Sequence, residues 1–506
     1  MRFKSISLIV TITLLFSSCL DLDIPNPNDP TTETVLSDPG NLTSITSGIL
    51  NGVFGPYSPS SFYGVNSSLE WTADHTTMTN NVLSWWSIFK TEPRQQLTNS
   101  ISWPNKASML EPWNQWNGTV VNANTVIRTL EENEDLTDEL TGLLAANYFA
   151  RGMALGYIGN VFDKGYIVPL SGDPAYVPVL VPYADVVEEA LSNLERAIEL
   201  FDEVPDFVLP DELLNGLGYT SEEMAALCHT YYAHILVSSA RNATQNAATD
   251  WAKIKEHAQA GIDLDFIIDA DGSNITHAFQ YGSGIFWYFR VDHRVMRHFN
   301  PNLPKRFPDN ATAPTSPYTE AFLKGAGYTG DKRLDAYFLF EPDLSFYNPA
   351  RDAGRLRSHY RIKRYDALFE AQGIGASVFM YKYANQLLLA EAEAMTNNLT
   401  AAIAILNDPA NPRKAVGDLP SLATTLTKQE VLDLIFAERD IELGRTDFGL
   451  PFFDMRRKSA LQRGTLLHLP VPADELVTQG FPVYTFGGVD SADGVNTADG
   501  SNSWLN

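Results

Sequence analysis

The chain has 506 residues, of which 36 are Lys or Arg and 61 are Asp or Glu, for a formal charge of −25. That balance excludes the broad basic surface on which nucleic-acid binding depends. A hydrophobic share of 44% is enough for a sizeable core, and two cysteines, Cys19 and Cys228, cannot make a disulfide framework. The chain opens with the short basic stretch Met1-Arg2-Phe3-Lys4, followed by an apolar run from Ile6 to Phe16. That run suits the core of an export signal and falls short of the roughly 20 apolar residues that a spanning helix needs. Ser17 and Ser18 are small, and Cys19 follows them directly. Residues 1–18 read as a bacterial lipoprotein signal that leaves an acylated Cys19 as the first mature residue. An ordinary secretory signal is the alternative. Each buried acyl CH₂ contributes ~0.8 kcal/mol, so several chains together hold a protein firmly on a membrane. Removing 1–18 takes away Arg2 and Lys4 and no acid, which leaves −27 on the mature chain.

Residues 19–39, rich in Pro, Asn and Asp, read as an extended tether. Residues 40–506 read as one helical domain with no further membrane-spanning stretch, so the body is expected to be soluble and tethered. A first helix is predicted over Asn41–Phe54, with Leu42, Ile45, Ile49, Leu50 and Val53 on its apolar side. Residues 55–112 look mostly irregular. Helices are then predicted from Pro112 to Glu132 and from Thr137 to Val161. Another runs from Pro182, where proline suits a first turn, to Phe201. It is followed by 221–241, entered through Thr220 and Glu223 at capping-box spacing, and by Asp250–Ile262. Cys228 falls in an apolar helical pattern and reads as a buried free thiol. Residues 265–374 are again less regular. Helices resume at Ala376–Met395, Ala401–Asn407 and Val431–Gly444, the last introduced by Thr427 and Glu430. Helix pairs about 34 residues long, with small residues such as Ala154, Gly156, Ala233 and Ala240, suggest tetratricopeptide-like units. The fold class is therefore all-α dominated: tetratricopeptide-like pairs with loop-rich insertions near 55–112 and 265–374.

Metal chemistry has little support. His229 and His234 are five apart, as are His293 and His298, so neither pair has the four-residue spacing of a helical zinc motif. Asp269-Ala-Asp271-Gly-Ser-Asn274 resembles the start of a calcium loop. Its glycine comes too early and no Glu closes it, so it reads as a surface turn. No cofactor is expected, and calcium is the one metal with any sequence support. Glu438 and Glu442 share a helical face and suit a salt-bridged junction with Arg439, Arg445, Arg456, Arg457 and Asp454 better than a catalytic pair. Glu391 and Glu393, two apart, cannot share a face.

The positive signal is aromatic. Trp71, Trp85, Trp86 and Trp103 fall in the first irregular region among Asn, Thr and Ser. Trp287 and Tyr288 stand in the second, near Arg290 and His293. A pyranose packs its apolar C–H face on a flat ring, while its hydroxyls need polar partners at the rim. These residues are therefore candidates for a sugar platform. The alternative is that each Trp anchors a loop to the helical body.

Five segments in order resemble the SusD/RagB family of outer-membrane glycan-binding lipoproteins. They are the leader with Asp21 and Asp23 after Cys19, and Ala146-Asn-Tyr-Phe-Ala-Arg151-Gly-Met-Ala154 with Phe162-Asp-Lys-Gly and Val168-Pro169-Leu170. Next come Tyr383-Ala-Asn-Gln-Leu-Leu-Leu-Ala-Glu391-Ala-Glu393-Ala, and Ala402-Ile-Ala-Ile-Leu-Asn407 with Arg413 and Lys414-Ala415. The last joins Ile435-Phe-Ala-Glu438-Arg439-Asp-Ile-Glu442-Leu443, Phe453-Asp454-Met-Arg456-Arg457 and Leu469-Pro470-Val-Pro472-Ala-Asp-Glu475-Leu. One departure is clear: where the family usually has E-G-x-R-W, this chain has the longer Arg445-Thr-Asp-Phe-Gly-Leu-Pro451-Phe. The resemblance implies a non-enzymatic glycan-binding lipoprotein on the outer face of the outer membrane. It further implies delivery to a TonB-dependent (SusC-like) transporter and a ligand face built by loops outside the helix pairs. It also implies that Asp74, after an early helix, has a structural role. The competing readings are a tethered glycoside hydrolase, which also uses Trp and carboxylates, and a helical protein-interaction scaffold.

Overall fold

The computed structural model describes residues 38–55, 64–78, 93–173, 175–273, 275–285, 289–304, 319–342 and 358–500. The signal segment, Cys19 and nearly all of the tether lie outside them. The chain divides into two units, residues 1–42 and residues 43–506, the boundary falling within helix α1 (Pro39–Phe54).

The scaffold is a succession of packed helices. Helix α2 (Val65–Thr72) is followed by α3 (Ala107–Glu131), α4 (Asp138–Val161), α5 (Tyr183–Glu203), α6 (Ser221–Ser238) and α7 (Trp251–Gln259). Then come α8 (Lys382–Met395), α9 (Leu399–Leu406), α10 (Lys428–Glu442), α11 (Leu450–Arg457) and α12 (Ala473–Thr478). Capping fixes the starts. The Thr137 hydroxyl accepts the Leu140 N–H at 3.3 Å, and Thr220–Glu223 and Thr427–Glu430 both form the reciprocal capping boxes that their spacing predicts. Helix α3 begins earlier than Pro112, because Met109 and Leu110 already donate to the Lys106 carbonyl.

Neighbouring helices pack in chain order: α3 on α4, α4 on α5, α5 on α6, α6 on α7, then α7 on α8 and α8 on α9 and α10. Helix α4 is buried on all sides from Thr141 to Val161, so it carries no amphipathic stripe. Its glycines let the neighbours close in. A Cβ on Gly156 would stand 2.3 Å from Ile235 Cδ1 of α6, and one on Gly152 would stand 2.9 Å from Leu194 Cγ of α5. Ala233, Val237, Ile254 and Leu388 form one apolar cluster, and Leu387, Ala390, Ile403 and Ile435 form the next. This is the expected fold class, all-α dominated with tetratricopeptide-like pairs. No helix among the described residues is long and apolar enough to cross a membrane.

The strands among the described residues are short, and the sequence shows little alternation to announce them. The antiparallel ladders are β1 (Thr76–Met78) with β5 (Phe289–Val291), and β2 (Lys164–Tyr166) with β3 (Leu180–Pro182). The others are β4 (Phe266–Ala270) with β8 (Gly375–Met380), and β6 (Phe338–Phe340) with β7 (Tyr360–Ile362). Residues 376–380, expected as the start of a helix, pair instead with 266–270, and helix α8 starts only after the extended Tyr381. The region 265–374 builds its own core from Val291, Val295, Phe299, Leu334, Phe338 and Tyr360.

The C-terminal part of α10 joins this second core to the helix pairs. Glu438, Arg439, Asp440 and Glu442 are all buried there. Arg333 donates to Glu438 Oε2 at 2.6 Å and to Glu442 Oε1 at 2.9 Å. Arg439 pairs with Asp454 at 2.6 Å, and Asp440 is held by Arg294 and His298. The pairs form a salt-bridged junction, as expected, with Arg439 and Arg457 on Asp454 but with other partners for the remaining groups. Arg333 takes both glutamates, Arg445 goes to Glu70, and Arg457 goes to Glu391 and Asp454. Among the described residues Arg456 takes no carboxylate. It donates to the carbonyls of Asn160, Leu467 and Ser238, where the ends of α4 and α6 carry partial negative charge. Glu391 and Glu393 do point to different partners, Arg457 and Lys255.

Candidate ligand face

The β1–β5 ladder organises the loop-rich side. Thr76 pairs with Val291, Thr77 with Arg290 and Met78 with Phe289. In an antiparallel pair this register puts the exit from β1 and the entry to β5 at the same end. Residues 79–92, with Trp85 and Trp86, follow Met78 directly, and residues 286–288, with Trp287 and Tyr288, precede Phe289 directly. Those four aromatics lie outside the described residues, but their points of attachment are neighbours. A third segment starts close by. Ser358 donates from its N–H (3.1 Å) and its hydroxyl (2.8 Å) to the Val291 carbonyl. Glu341 N–H donates to the His359 carbonyl at 2.8 Å, so both flanks of 343–357 stand at the β6–β7 ladder beside β5.

Beneath the ladder is a packed base. Trp71, in the last turn of the fully buried α2, stacks on Phe289 with ring centroids 6.0 Å apart and is 2% exposed. The Arg445 guanidinium lies 4.6 Å from the centroid of the Phe289 ring, and its Nε is 3.1 Å from Glu70 Oε2. Arg290 is buried, with Nη1 donating to the Phe289 carbonyl at 3.1 Å. Trp103 is 8% exposed. Trp71, Trp103 and Arg290 therefore depart from the expectation of open stacking faces or rim groups. They sit under the surface because their own segments, helix α2, the stretch before α3 and strand β5, are packed into the body. Polar loop-like sequence around them gave no sign of this burial.

The two flanks of 79–92 are tied together by a buried pair, Asp74 and Arg94. Asp74 was expected to have a structural role. It takes a left-handed φ of 53° just after α2 and is buried. Arg94 Nη2 stands 3.1 Å from each of its carboxylate oxygens, and Arg94 Nε donates to Thr465 Oγ1 at 3.1 Å. Arg294 Nε donates to the Asp74 carbonyl at 3.1 Å. Arg94 carried no motif, so nothing in the sequence marked it as the partner.

Two of the segments that carried the sequence resemblance are joints of the scaffold. Arg151 donates to Asn124 Oδ1 at 2.7 Å, to Glu189 Oε1 at 2.6 Å and to the Val168 carbonyl at 3.1 Å. The Leu469 stretch pairs with the corner at Phe162: Leu469 N–H donates to the Val161 carbonyl and Asp163 N–H to the Leu469 carbonyl.

Elsewhere the chemistry is structural. Asp271 accepts the N–H groups of Ser273 at 2.8 Å and Ile275 at 3.3 Å, the geometry of a turn. His229 meets His257, Nδ1 to Nδ1 at 2.9 Å, rather than His234. Burial lowers His257 to about 3, with His229 adding to the effect, and lowers His234 to about 3, with Arg439 adding to it. Among the described residues no group of three His, Cys, Asp or Glu side chains is arranged to hold a metal ion. Cys228 is a buried free thiol whose pKa burial raises well above the usual range.

No protein-family model matches the sequence, and no curated protein matches it either. Solved structures do resemble it. A SusD superfamily protein from Parabacteroides distasonis superposes with a TM-score of 0.63 at 13% identity, covering 87% of this chain and 97% of its own. A SusD-like carbohydrate-binding protein from Bacteroides fragilis gives a TM-score of 0.58 at 13% identity, covering 83% and 86%. Surface glycan-binding protein A from Bacteroides uniformis gives 0.58 at 14% identity, covering 88% and 99%. The chain has the SusD-like fold.

Proposed function

We propose that this protein is a cell-surface glycan-binding lipoprotein that captures oligosaccharide without turning it over and passes it to a TonB-dependent outer-membrane transporter. The observation that carries the reading is the β1–β5 register, which brings the attachment points of Trp85–Trp86 and Trp287–Tyr288 to one end of one ladder. Two aromatic pairs rooted side by side suit a platform for sugar rings. The SusD-like fold supports the same reading, because the Bacteroides fragilis and Bacteroides uniformis neighbours are named as carbohydrate-binding and glycan-binding proteins. Acylated Cys19 anchors the chain to the outer membrane, and residues 19–39 leave the body free to swing over the transporter. The helix pairs face the transporter and the loops face the glycan, and no cofactor takes part.

The test is retardation of the protein in native gels cast with a panel of polysaccharides, together with an assay for newly formed reducing ends. Retardation by at least one glycan with no release of reducing ends is the expected result. Retardation unchanged in both Trp85→Ala and Trp287→Ala would remove the site assignment. Release of reducing ends that disappears on mutating a single Asp or Glu would make the protein a hydrolase.

A further inference from the structure

The segment between α10 and α11 is where the sequence departs from the family pattern, and it holds an unusual carboxylate. Asp447 is buried and adopts a φ of 42°. Its Oδ1 accepts the Tyr157 hydroxyl of α4 at 3.0 Å and the Tyr231 hydroxyl of α6 at 3.2 Å. Its N–H donates to the Phe379 carbonyl of β8 at 2.8 Å. The next residue, Phe448, wedges against Trp116 of α3 and Tyr157, with ring centroids 4.9 Å from each. The charged group acting on Asp447 from α10 is Arg439, and that side chain is committed to Asp454 at 2.6 Å. Burial pushes the Asp447 carboxyl up to about 7, while the two phenol hydrogen bonds, the Phe448 N–H and Arg439 pull it back down.

The other end of the same segment serves the ligand side. Arg445 donates its N–H to Glu70 Oε1 at 2.7 Å and lies against Phe289. Gln280 donates to the Arg445 carbonyl at 3.0 Å, and Tyr365 donates to the Gly444 carbonyl at 3.0 Å. Residues 443–449 therefore bridge the helix pairs, through Asp447, and the base of the β1–β5 ladder, through Arg445.

We infer that Asp447 is a proton-controlled joint between the scaffold and the loop-bearing side. With the proton on Oδ2, Oδ1 accepts both phenols as a neutral carbonyl oxygen and the segment is held. When the proton leaves to solvent, a negative charge remains in a site where no cation among the described residues forms an ion pair with it, and two phenols sharing one oxygen meet only part of the solvation it loses. The segment then opens more often to let water in, and the Arg445–Glu70 contact under Phe289 loosens with it. The joint is tightest in the ordinary carboxylate range, loosens as pH rises towards 7 and changes little above it. This inference stands apart from the nature of the ligand.

The test is amide hydrogen exchange of the full-length protein between about pH 6 and about pH 8, corrected for the intrinsic pH dependence of exchange. Protection of residues 443–449 and 289–291 should fall on the order of tenfold across that range in the wild type. Asp447→Asn, which keeps an oxygen acceptor and cannot ionise, should abolish the fall. Tyr157→Phe removes a donor that stabilises the charged form and should move the midpoint of the fall to higher pH. A flat wild-type profile, an equal fall in Asp447→Asn, or an unmoved midpoint in Tyr157→Phe would each overturn the inference. Should Asp447→Asn fail to fold, the wild-type profile and the Tyr157→Phe midpoint decide the matter.

Discussion

Asp74 and Arg94 face each other across twenty residues of sequence, with one guanidinium nitrogen of Arg94 3.1 Å from both carboxylate oxygens of Asp74. Both side chains are almost fully buried, 1% and 3% exposed. The pair closes the base of the segment that carries Trp85 and Trp86, and it does so without reaching the surface. Removing one partner of a buried pair leaves an uncompensated charge, which costs roughly 3–5 kcal/mol. Asp74→Ala should therefore lower the urea midpoint by a large fraction of the protein's stability, and Asp74→Asn by less. Glycan retardation measured well below the unfolding transition should also weaken in Asp74→Ala, because 79–92 loses one tie between its ends. A wild-type urea midpoint in Asp74→Ala would show that the clamp contributes nothing.

The junction around α10 and α11 sets the acid limit. Arg457 grips Glu391 with two hydrogen bonds of 2.7 and 2.6 Å, and Lys458 approaches at 3.1 Å. Burial alone would raise the Glu391 pKa, but Arg457 and Lys458 outweigh it and hold the carboxyl far below its usual 4.5. Asp440 and Asp454 are likewise held below 3.8, burial being outweighed by Arg294 with His298 and by Arg439 with Arg457. A folded-state pKa below the unfolded one gives stability that is fully present above the unfolded value and is lost as pH falls through the folded one. The contribution of these carboxylates to the chemical unfolding midpoint, read for Glu391 as the difference between wild type and Glu391→Gln, should therefore be constant down to about pH 5 and shrink at lower pH. Glu391→Gln should start lower at neutral pH and decline less. A mutant profile parallel to the wild type would show that Glu391 is not among the groups that set the limit.

How far the sequence carried depends on how local each signal is. Thr220 with Glu223 and Thr427 with Glu430 announce helix starts because both partners of the capping box lie within four residues. Gly156 and Ala233 announce close helix packing because a small residue in an apolar run has few other uses. Arg333 was invisible as the partner of Glu438 and Glu442 because the pairing spans about a hundred residues and many arginines compete for it. Strand Thr76–Met78 is too short to show alternation, so the ladder that brings the two aromatic segments together had no signature. Trp71 and Trp103 looked exposed because sequence context reports the polarity of neighbours along the chain, whereas burial depends on neighbours in space.

The approach of α4 to α6 makes a sharp packing test. Gly156 has no Cβ, and an added one would fall 2.3 Å from Ile235 Cδ1. Both residues are in the interior, so Gly156→Val forces side chains or helices apart, at a cost of about 1–3 kcal/mol. The thermal midpoint should fall accordingly. Ile235→Ala in the same chain should restore part of the loss, because it removes the atoms that the new side chain meets. Equal thermal midpoints in Gly156→Val and wild type would mean that the two helices have room to spare.

The last prediction concerns whether the two aromatic segments serve one ligand. They attach at Met78 and Phe289, which are partners in the ladder, and the proposed function predicts that they share one sugar ligand. Truncating an aromatic anchor in a binding site typically costs about 2 kcal/mol or more, close to thirtyfold in Kd. Trp85→Ala and Trp287→Ala should each weaken binding of the retarding polysaccharide on that scale. If both rings contact the same ligand, the second substitution should cost less once the first has been made, a coupling of about 0.5–3 kcal/mol. Isothermal titration with an oligosaccharide of that polysaccharide, run on the wild type, both single variants and the double variant, measures the coupling directly. Strictly additive losses would mean that the two segments bind independently, and the shared ladder end would then have no bearing on recognition.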